Sequence, residues 1–315
     1  MVVVAVAGGT GHMGRTIVEA FIADGKHTIL ILGRNPNPAL EAELGVPIIA
    51  VDYSDISAVT KTLEGNNVHT AISAINMSPF DGSTPTEIEL IRAADASKTT
   101  KRMITSDWGV PHKDEHLAIF PSAARKRDAQ AVLAKVTDLE TTRFCIGYFL
   151  DYWGFPRVKS YMGSTTFVVD VANDVAGIPG TGDVPVTFSH SVDVAQFVVR
   201  SLDLQKWDPI SWVVGDKVTW NEFLWLAEEA KGAKFTVTYD SVESLTRGEA
   251  TELPNHLPMY IFLRKEVFRG MAAMFSMWFD DGFFNLNPKK KLNDEFPDIK
   301  LRTVKEVLNA AWKTT

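Results

Sequence analysis

The stretch that decides the fold is residues 2–14, which read VVVAVAGGTGHMG. Its first six residues are all apolar, a pattern typical of a β-strand that is covered on both faces. Four glycines follow within seven residues, and a helical pattern runs from about His12 to Asp24. The stretch therefore predicts a strand, a tight glycine-rich turn and a helix, in that order.

The same alternation continues through the first half of the chain. Helix-length segments separate most of the further apolar runs, which lie at 28–32, 46–51, 68–75, 102–105 and 139–146. Strands and helices that alternate in this way form right-handed β–α–β units around a parallel sheet. The sequence therefore predicts an α/β fold with a Rossmann-type, doubly wound parallel sheet.

The spacing of Gly8, Gly9, Gly11 and Gly14 is that of a dinucleotide-binding turn. The pattern GxGxxG fits from Gly9, and GxxGxxG fits from Gly8. Glycine suits these positions because the backbone has to approach a pyrophosphate with no Cβ in the way, and Gly14 lets the helix pack on the strand. The free amides at the start of the helix would then bind the phosphates. A turn that is merely tight is the alternative interpretation.

The end of the second strand indicates which dinucleotide is bound. A site for NAD usually places Asp or Glu there, against the ribose hydroxyls, whereas this chain has Gly33-Arg34-Asn35. A carboxylate would repel a 2′-phosphate, and the guanidinium of Arg34 can bind one with two parallel hydrogen bonds. We therefore predict NADP(H), with Arg34 as a solvated loop residue being the alternative.

The search for catalytic residues starts from a pair that is missing. Common short-chain dehydrogenases use Tyr-x-x-x-Lys, and no tyrosine here is followed four residues later by lysine; Tyr260 and Arg264 are the nearest match. On the helix after the fifth strand, Lys126 and Arg125 share the apolar stripe that faces the sheet. A cation there needs a partner, such as a cofactor ribose or a substrate oxygen. First-turn surface cations with buried stems are the alternative.

Several motifs resemble the NmrA-like group of atypical short-chain dehydrogenases, which includes isoflavone reductase-like enzymes and their fungal relatives. They are GGTGHMG at 8–14, Arg34, KRMITSDWG at 101–109, LETTRFCIGYFLDYWGFP at 139–156 and the segment 284–308. The resemblance implies a Rossmann domain that binds NADP(H), a smaller C-terminal substrate domain and, in the enzymes, a lysine that replaces the Tyr-Lys pair. Lys126 is the candidate for that lysine, although the Arg125-Lys126-Arg127 cluster permits three alignments.

We predict an NADP-binding domain at 1–150 and a substrate-binding region at 151–315, with part of 184–214 returning to the first domain. Asp52 ends the third strand within reach of an adenine amino group, and Ser73 to Ile75 end the fourth, beside the cofactor. The candidate cofactor-binding residues are Gly8, Thr10, Gly11, His12, Met13, Gly14, Arg34, Asn35, Asp52, Tyr53, Ser73, Ala74, Ile75 and Lys126.

The second half has its own expected elements. We predict a strand at 165–171, a Gly/Pro loop at 177–185, a helix at 191–203, a return to the sheet at 210–214 and a helical stretch at 257–279. Thr219-Trp220-Asn221-Glu222 is a capping box, which predicts a helix that runs to about Lys231.

Aromatic residues are distributed unevenly. Only five of the 32 lie within 1–140, so 27 lie in the rest of the chain. Ligands bind where parallel strands end, and several aromatic residues follow the fifth and sixth strands. The candidate substrate residues are Trp108, His112, Tyr148, Phe149, Tyr152, Trp153 and Phe275. Packing alone is the alternative for many of them.

Composition excludes several classes of protein. The hydrophobic share of 45% argues against disorder, and a net charge of −7 argues against a nucleic-acid partner. One cysteine, Cys145, allows no intramolecular disulfide. His112 and His116 lack a third clustered ligand, so we predict no metal. A strand directly after Met1 and charges within 259–279 argue against secretion and a membrane span, so we expect a cytoplasmic protein.

The function predicted from the sequence is an NADPH-dependent reductase of a hydrophobic small molecule. The substrate would be aromatic or polyketide-like and part of fungal secondary metabolism, with Lys126 as acid/base or as ribose anchor. One alternative is an NmrA-like regulatory protein that senses NAD(P) without catalysis. The other is an isomerase or cyclase on the same fold, with no net redox change. The oligomeric state is left open.

Overall fold

The computed structural model describes residues 1–78, 83–116, 120–164 and 166–313. The chain divides into two compact units. The N-terminal unit comprises Met1–Cys145, Val194–Trp212 and Asp294–Phe296, and the C-terminal unit comprises Ile146–Asp193, Val213–Asn293 and the chain from Pro297 onward. In the part of the chain that the structure describes, no helix is both long enough and apolar enough to cross a bilayer.

Strands and helices alternate regularly up to Cys145. In chain order they are β1 Val3–Ala7, α1 His12–Asp24, β2 Thr28–Gly33, α2 Pro38–Leu44, β3 Ile48–Ala50, α3 Ile56–Gly65, β4 Val68–Ser73, α4 Glu87–Ala96, β5 Arg102–Gly109, α5 Pro121–Leu133 and β6 Glu140–Cys145. A 3-10 turn, Asp114–His116, lies between β5 and α5.

The later elements are shorter and less regular. They are β7 Tyr148–Phe149, α6 Asp151–Gly154, β8 Val169–Asp170, β9 Val175–Pro179, β10 Val186–Ser189, α7 Ser191–Ser201, β11 Ile210–Trp212, β12 Asp216–Val218, α8 Trp220–Lys231, β13 Thr236–Asp240, α9 Val242–Thr246, α10 Lys265–Asp280, α11 Leu292–Glu295 and α12 Val304–Trp312. A 3-10 segment, Pro254–Ile261, precedes α10.

The N-terminal unit is built on a seven-stranded sheet in the order β11-β6-β5-β4-β1-β2-β3. Every neighbouring pair in it is parallel. The strand order reverses direction between β1 and β4, which is the point where an open α/β sheet leaves a crevice for a ligand. The predicted doubly wound Rossmann-type sheet is confirmed, and β11 is the expected return of 210–214.

One face of this sheet is covered by α3, α4 and α5. Val59 and Leu63 on α3, Leu90 on α4 and Ala129 on α5 belong to one buried cluster with sheet residues such as Ala71. The apolar stripe predicted for α5 is this contact, since Val132, Leu133 and Val136 pack against the same cluster. The carboxyl ends of the strands, where the turns into these helices begin, are thereby held in a fixed order.

The C-terminal unit contains two three-stranded sheets, β12-β10-β7 and β13-β9-β8. Its aromatic core surrounds Trp153, whose ring centroid lies 4.7 Å from that of Phe223 and 5.7 Å from that of Phe188. The Trp153 indole donates a hydrogen bond of 2.8 Å to the carbonyl of Val169. Much of the aromatic excess in this half of the chain is therefore core.

Three predicted elements differ from the structure. The expected loop at 177–185 begins inside β9, which is held as a strand by parallel pairing with β13. The expected helical stretch 257–279 is divided, because Pro258 lies in the 3-10 segment and α10 begins only at Lys265. Of the predicted strand 165–171 only β8 forms, and Thr165 lies outside the described residues. The capping box at Thr219 is confirmed as the start of α8.

Replacing Trp153 with alanine should lower the free energy of unfolding by about 4 kcal/mol, because a large buried ring is lost and the Val169 carbonyl loses one of its two donors, the other being the Thr166 hydroxyl. Trp225 offers a matched control, since it is 57% exposed against 2% for Trp153. The same substitution there should cost less than about 1 kcal/mol. Urea unfolding followed by circular dichroism measures both, and equal effects would contradict the assignment of Trp153 to the core.

Candidate functional site

The glycine turn after β1 is a site of very close backbone approach. Gly8 adopts a φ of 76°, and a Cβ there would lie 2.7 Å from the carbonyl oxygen of Ala74. A Cβ on Gly14 would overlap the carbonyl of Gly8, whereas one on Gly11 would meet nothing within 4 Å. Packing therefore requires glycine at positions 8 and 14, while the space beside Gly11 is open.

Helix α1 starts at this open space. Its N-cap is Gly11, which has no side chain to bond the first amides of the helix, and its carbonyl accepts the amide of Arg15 at 3.1 Å. His12 has a φ of 47°, in the left-handed region that costs a residue with a Cβ about 1 kcal/mol or more. An uncapped helix start beside open space fits the pyrophosphate of a dinucleotide.

The ends of β2 and β3 carry the next candidates. Arg34 and Asn35 are exposed, and within the described ranges Arg34 forms no ion pair. The Asp52 carboxylate is exposed and accepts hydrogen bonds from the Ser54 hydroxyl at 2.6 Å and the Ser54 amide at 2.9 Å, which lower its pKa. Arg34 is therefore available to a ligand, and Asp52 is oriented by its own turn.

The side chain of Tyr53 is hydrogen-bonded to the end of β2. Its hydroxyl donates a hydrogen bond of 3.1 Å to the carbonyl of Leu32, and burial raises its pKa. The side chain is 5% exposed. This hydrogen bond therefore supports the strand end that precedes Arg34.

Side chains connect the ends of β4 and β5. The buried Glu87, in the first turn of α4, accepts a hydrogen bond from the Ser73 hydroxyl and another of 3.0 Å from the Ser106 amide. The Ser106 hydroxyl donates to the Ile75 carbonyl at 2.8 Å, and the Trp108 indole donates to the Ser73 carbonyl at 3.1 Å. Of the predicted residues, Ser73, Ile75 and Trp108 meet here, with Ala74 between the first two.

Glu87 was not predicted from the sequence. An acidic residue in the first turn of a helix is ordinary, since it interacts well with the helix dipole, and nothing local indicates that this one is buried. Burial raises its pKa to about 7, and the hydrogen bonds from Ser73 and Ser106 act in the opposite direction. The neighbouring charges are Asp107, which raises the pKa, and Lys126, which lowers it.

Lys126 projects from α5 toward the end of β5. Its Nζ donates a hydrogen bond of 2.5 Å to the carbonyl oxygen of Asp107 and lies 3.8 Å from Oδ1 of the same residue. The Asp107 carboxylate also accepts from Gln130 at 3.2 Å and lies 3.7 Å from Arg143. Asp107, another residue that the sequence analysis did not select, is therefore the centre of a buried polar cluster.

The three cations of the 125–127 cluster point to different places. Arg125 donates to the Met77 carbonyl at 3.2 Å, and Arg127 pairs with Asp114 at 2.6 Å with its side chain 41% exposed. The Lys126 side chain is 14% exposed. Only Lys126 is brought to Asp107 among these three.

His112 lies near the same cluster. Burial, together with the positive charges of Lys126 and Arg143, lowers the pKa of His112 to about 3. Its ring centroid lies 5.5 Å from that of Phe120. The imidazole is therefore neutral at physiological pH and can donate or accept a hydrogen bond.

The aromatic candidates of the C-terminal unit divide into two groups. Trp153 is enclosed by core rings, which agrees with the packing alternative for this residue. Tyr152 is partly exposed, while Tyr148 and Phe149 are buried. Phe275 stacks on Phe167 with centroids 4.9 Å apart. Burial raises the pKa of both tyrosines, which keeps their phenols neutral.

Two further predicted features have plain structural settings. His112 and His116 contact each other edge to face, and within the described ranges no group of three or more His, Cys, Asp and Glu side chains is arranged to hold a metal ion. Cys145 is buried at the end of β6, and burial raises the pKa of its thiol to about 12.

The raised pKa of Glu87 predicts a pH-dependent stability. The folded chain keeps this proton up to about pH 7, while the unfolded chain loses it near the ordinary value of 4.5. Stability therefore falls as the pH rises through this window, by up to about 3 kcal/mol. Glu87→Gln removes the titration, so its stability relative to the wild type should increase from pH 5 to pH 8.

Thermal unfolding across that range measures the difference, with Glu89→Gln as the matched control on the same turn of α4. The control should keep a constant offset from the wild type. A constant offset for Glu87→Gln as well would contradict the burial of an ionisable group there.

Comparison with known proteins identifies relatives along almost the whole chain. A profile of the NmrA-like family matches residues 2–268. The oxidoreductase BOA1 of Botryotinia fuckeliana is 34% identical over 302 residues, which cover 95% of this chain and 96% of that protein. The isoflavone reductase of Medicago sativa is 23% identical over 333 residues, with 96% of each chain covered.

Solved structures show the same fold. The leucoanthocyanidin reductase–NADPH complex from Vitis vinifera superposes with a TM-score of 0.74 at 19% identity, covering 98% of each chain. The complex of AtPrR2 with NADP+ and (+)pinoresinol gives a TM-score of 0.73 at 19% identity, again over 98% of each chain. With the family profile and the relative from Botryotinia, the conclusion is that this chain belongs to the NmrA-like family.

Proposed function

We propose that the chain is an NADPH-dependent reductase of a hydrophobic small molecule, aromatic or polyketide-like, in fungal secondary metabolism. The observation that carries the proposal is the glycine turn, where packing requires Gly8 and Gly14 while the start of α1 beside Gly11 is open and uncapped. Relatives named oxidoreductase and isoflavone reductase support the reaction class. The fungal origin of BOA1 supports the setting.

NADPH is favoured over NADH by the end of β2. Arg34 is exposed, has no carboxylate beside it in the sequence and forms no ion pair among the residues that the structure describes. A guanidinium in this state can bind the 2′-phosphate with two charge-assisted hydrogen bonds. The first-turn amides at Gly11–Gly14 would hold the pyrophosphate. Two structures of the same fold contain NADPH and NADP+, which is consistent with this choice.

We assign the catalytic role to Lys126. Bound NADPH supplies the hydride for reduction of a polarised carbon. An ammonium has three donors, of which the Asp107 carbonyl takes one. Another donor of Nζ can reach a cofactor hydroxyl or a substrate oxygen, where it stabilises developing negative charge and can give up a proton. Asp107 keeps this ammonium at the carboxyl edge of the sheet, the edge that also carries the glycine turn.

The substrate class is inferred from the C-terminal half. It contains most of the aromatic residues, and at the margin of the core around Trp153 the partly exposed rings of Tyr152 and Phe275 each contact the buried ring of Tyr148. Neutral phenols and phenyl rings favour an apolar, conjugated ligand.

Arg34→Gln should raise the dissociation constant for NADPH by about 10- to 100-fold, because a charge-assisted contact with the 2′-phosphate is lost. Affinity for NADH, which lacks that phosphate, should change by less than about threefold. Arg92→Gln, which removes an exposed arginine from α4, is the control and should change neither. Calorimetric titrations measure all of these values, and an equal loss for both cofactors would contradict the role of Arg34.

Lys126→Met keeps the length of the side chain and removes the ammonium. Turnover should fall by about 100-fold or more, while NADPH affinity should change by less than about tenfold. The measurement is loss of NADPH absorbance with a panel of aromatic carbonyl compounds, first with the wild type to find a substrate. Arg127→Met is the control, since that cation pairs with Asp114 at the surface.

Full turnover by Lys126→Met would exclude the assigned role. A wild type that binds NADPH tightly and oxidises it with no member of the panel would instead favour the regulatory alternative, which the missing Tyr-x-x-x-Lys pair also favours.

A further inference from the structure

The hydrogen-bonded ladder between β4 and β5 stops before the two strands reach the candidate site. Its register pairs Thr70 with Arg102 and ends where Ile72 pairs with Ile104. Both strands continue past that point, to Ser73 and to Gly109 respectively. The strand ends that bear the candidate residues therefore have to be held together by something other than the ladder between them.

Glu87 supplies one such connection, in addition to the direct hydrogen bonds from Ser106 to Ile75 and from Trp108 to Ser73. Its side chain enters from α4, is 2% exposed and uses each carboxylate oxygen once, for the Ser73 hydroxyl and for the Ser106 amide. Ser73 belongs to β4 and Ser106 to β5. Only a side chain with two polar atoms and this reach can bond both at once, so the bridge depends on a glutamate or on its isostere, glutamine.

Each end of the bridge leads to a different part of the candidate site. Next to Ser73, the amide of Ala74 donates to the Ala7 carbonyl at 2.8 Å, and the carbonyl of Ala74 limits the space at Gly8. We call Ala74, whose carbonyl lies against Gly8, the wall of the glycine turn. Any shift of Ser73 is passed to that wall through a single peptide unit.

The other end leads to the catalytic candidate. Ser106 directly precedes Asp107, whose carbonyl accepts a hydrogen bond from the Lys126 ammonium. The Ser106 hydroxyl also donates to the carbonyl of Ile75, which directly follows β4, while the Ser106 amide is connected to β4 through Glu87. The position of the Lys126 anchor thus depends on the same bridge as the wall of the turn.

We propose that Glu87 is a positioning residue of the dinucleotide site: it sets the spacing between the wall of the glycine turn and the Asp107 carbonyl that anchors Lys126. This inference rests on the proposed binding of NADPH. Glu87 itself touches neither the turn nor Lys126 by a hydrogen bond, so its effect on a bound dinucleotide passes through Ser73 and Ser106.

The test compares Glu87→Ala, Glu87→Gln and Glu87→Asp for NADPH affinity, measured by calorimetric titration well below each variant's melting temperature. Alanine removes both hydrogen bonds, the one with Ser73 and the one with Ser106, and should raise the dissociation constant for NADPH by about tenfold or more. Glutamine can accept from Ser106 and donate to Ser73, so affinity should stay within about threefold of the wild type. Aspartate keeps the carboxyl group but is too short to reach both Ser73 and Ser106, and it should resemble alanine.

Leu90→Ala provides the matched destabilised control. Leu90 is fully buried on the same helix, so its truncation should lower the melting temperature without changing NADPH affinity by more than about threefold. Ser73→Ala removes only the hydrogen bond between Ser73 and Glu87, and it should give a smaller loss of NADPH affinity than Glu87→Ala. If Glu87→Ala does not fold, the contrast between glutamine and aspartate decides the question.

Affinity losses in the alanine and aspartate variants, with rescue by glutamine and none in the control, would support the proposal. Wild-type affinity in Glu87→Ala or Glu87→Asp would overturn it, as would losses that follow melting temperature across all variants including Leu90→Ala. If the wild type does not bind NADPH, the proposed function is refuted as well. If the wild type binds NADPH and the Glu87 variants bind it equally well, only the positioning role is refuted.

Discussion

Backbone packs directly against backbone at the carboxyl end of β1, and the candidate site is built outward from this contact. The carbonyl of Gly8 lies where a Cβ of Gly14 would be, and the carbonyl of Ala74 lies where a Cβ of Gly8 would be. The first contact packs α1 against the end of β1, and the second packs the end of β4 against the glycine turn. Because both are steric, they are insensitive to salt and pH and exclude every side chain larger than hydrogen.

Two buried carboxylates share the neighbouring strand ends, and each is compensated differently. Asp107 is surrounded by the cations Lys126 and Arg143 and by the amide of Gln130. Glu87 has no cation at hydrogen-bond distance among the described residues and relies on a hydroxyl and a backbone amide. Burial of a charge costs several kcal/mol without such partners, so the arrangement is stable only when all of it is present. Removal of one member therefore affects the others, and effects of single substitutions in this cluster should not be additive.

The sequence was informative where local chemistry determines the structure. The glycine turn, the alternation that produces the parallel sheet and the capping box at Thr219 each depend on residues close together in the chain, and all are present. β9 was mistaken for a loop because its Gly-Ile-Pro sequence is typical of turns, and only pairing with β13 makes it a strand. Glu87 and Asp107 were not selected because their importance comes from partners 14 to 36 positions away.

The same distinction applies to the aromatic residues, where composition identifies a class but not a role. Trp153 and Tyr152 are adjacent, yet the first is surrounded by Phe188, Trp220 and Phe223 while the second is partly exposed. The unequal environments follow from the short helix α6, which turns neighbouring side chains to different faces. An aromatic excess therefore has to be divided between a core and a ligand surface before it describes a substrate. In this chain both Trp153 and Tyr148 belong to the core, so the apolar character of the ligand is inferred from the partly exposed Tyr152 and Phe275.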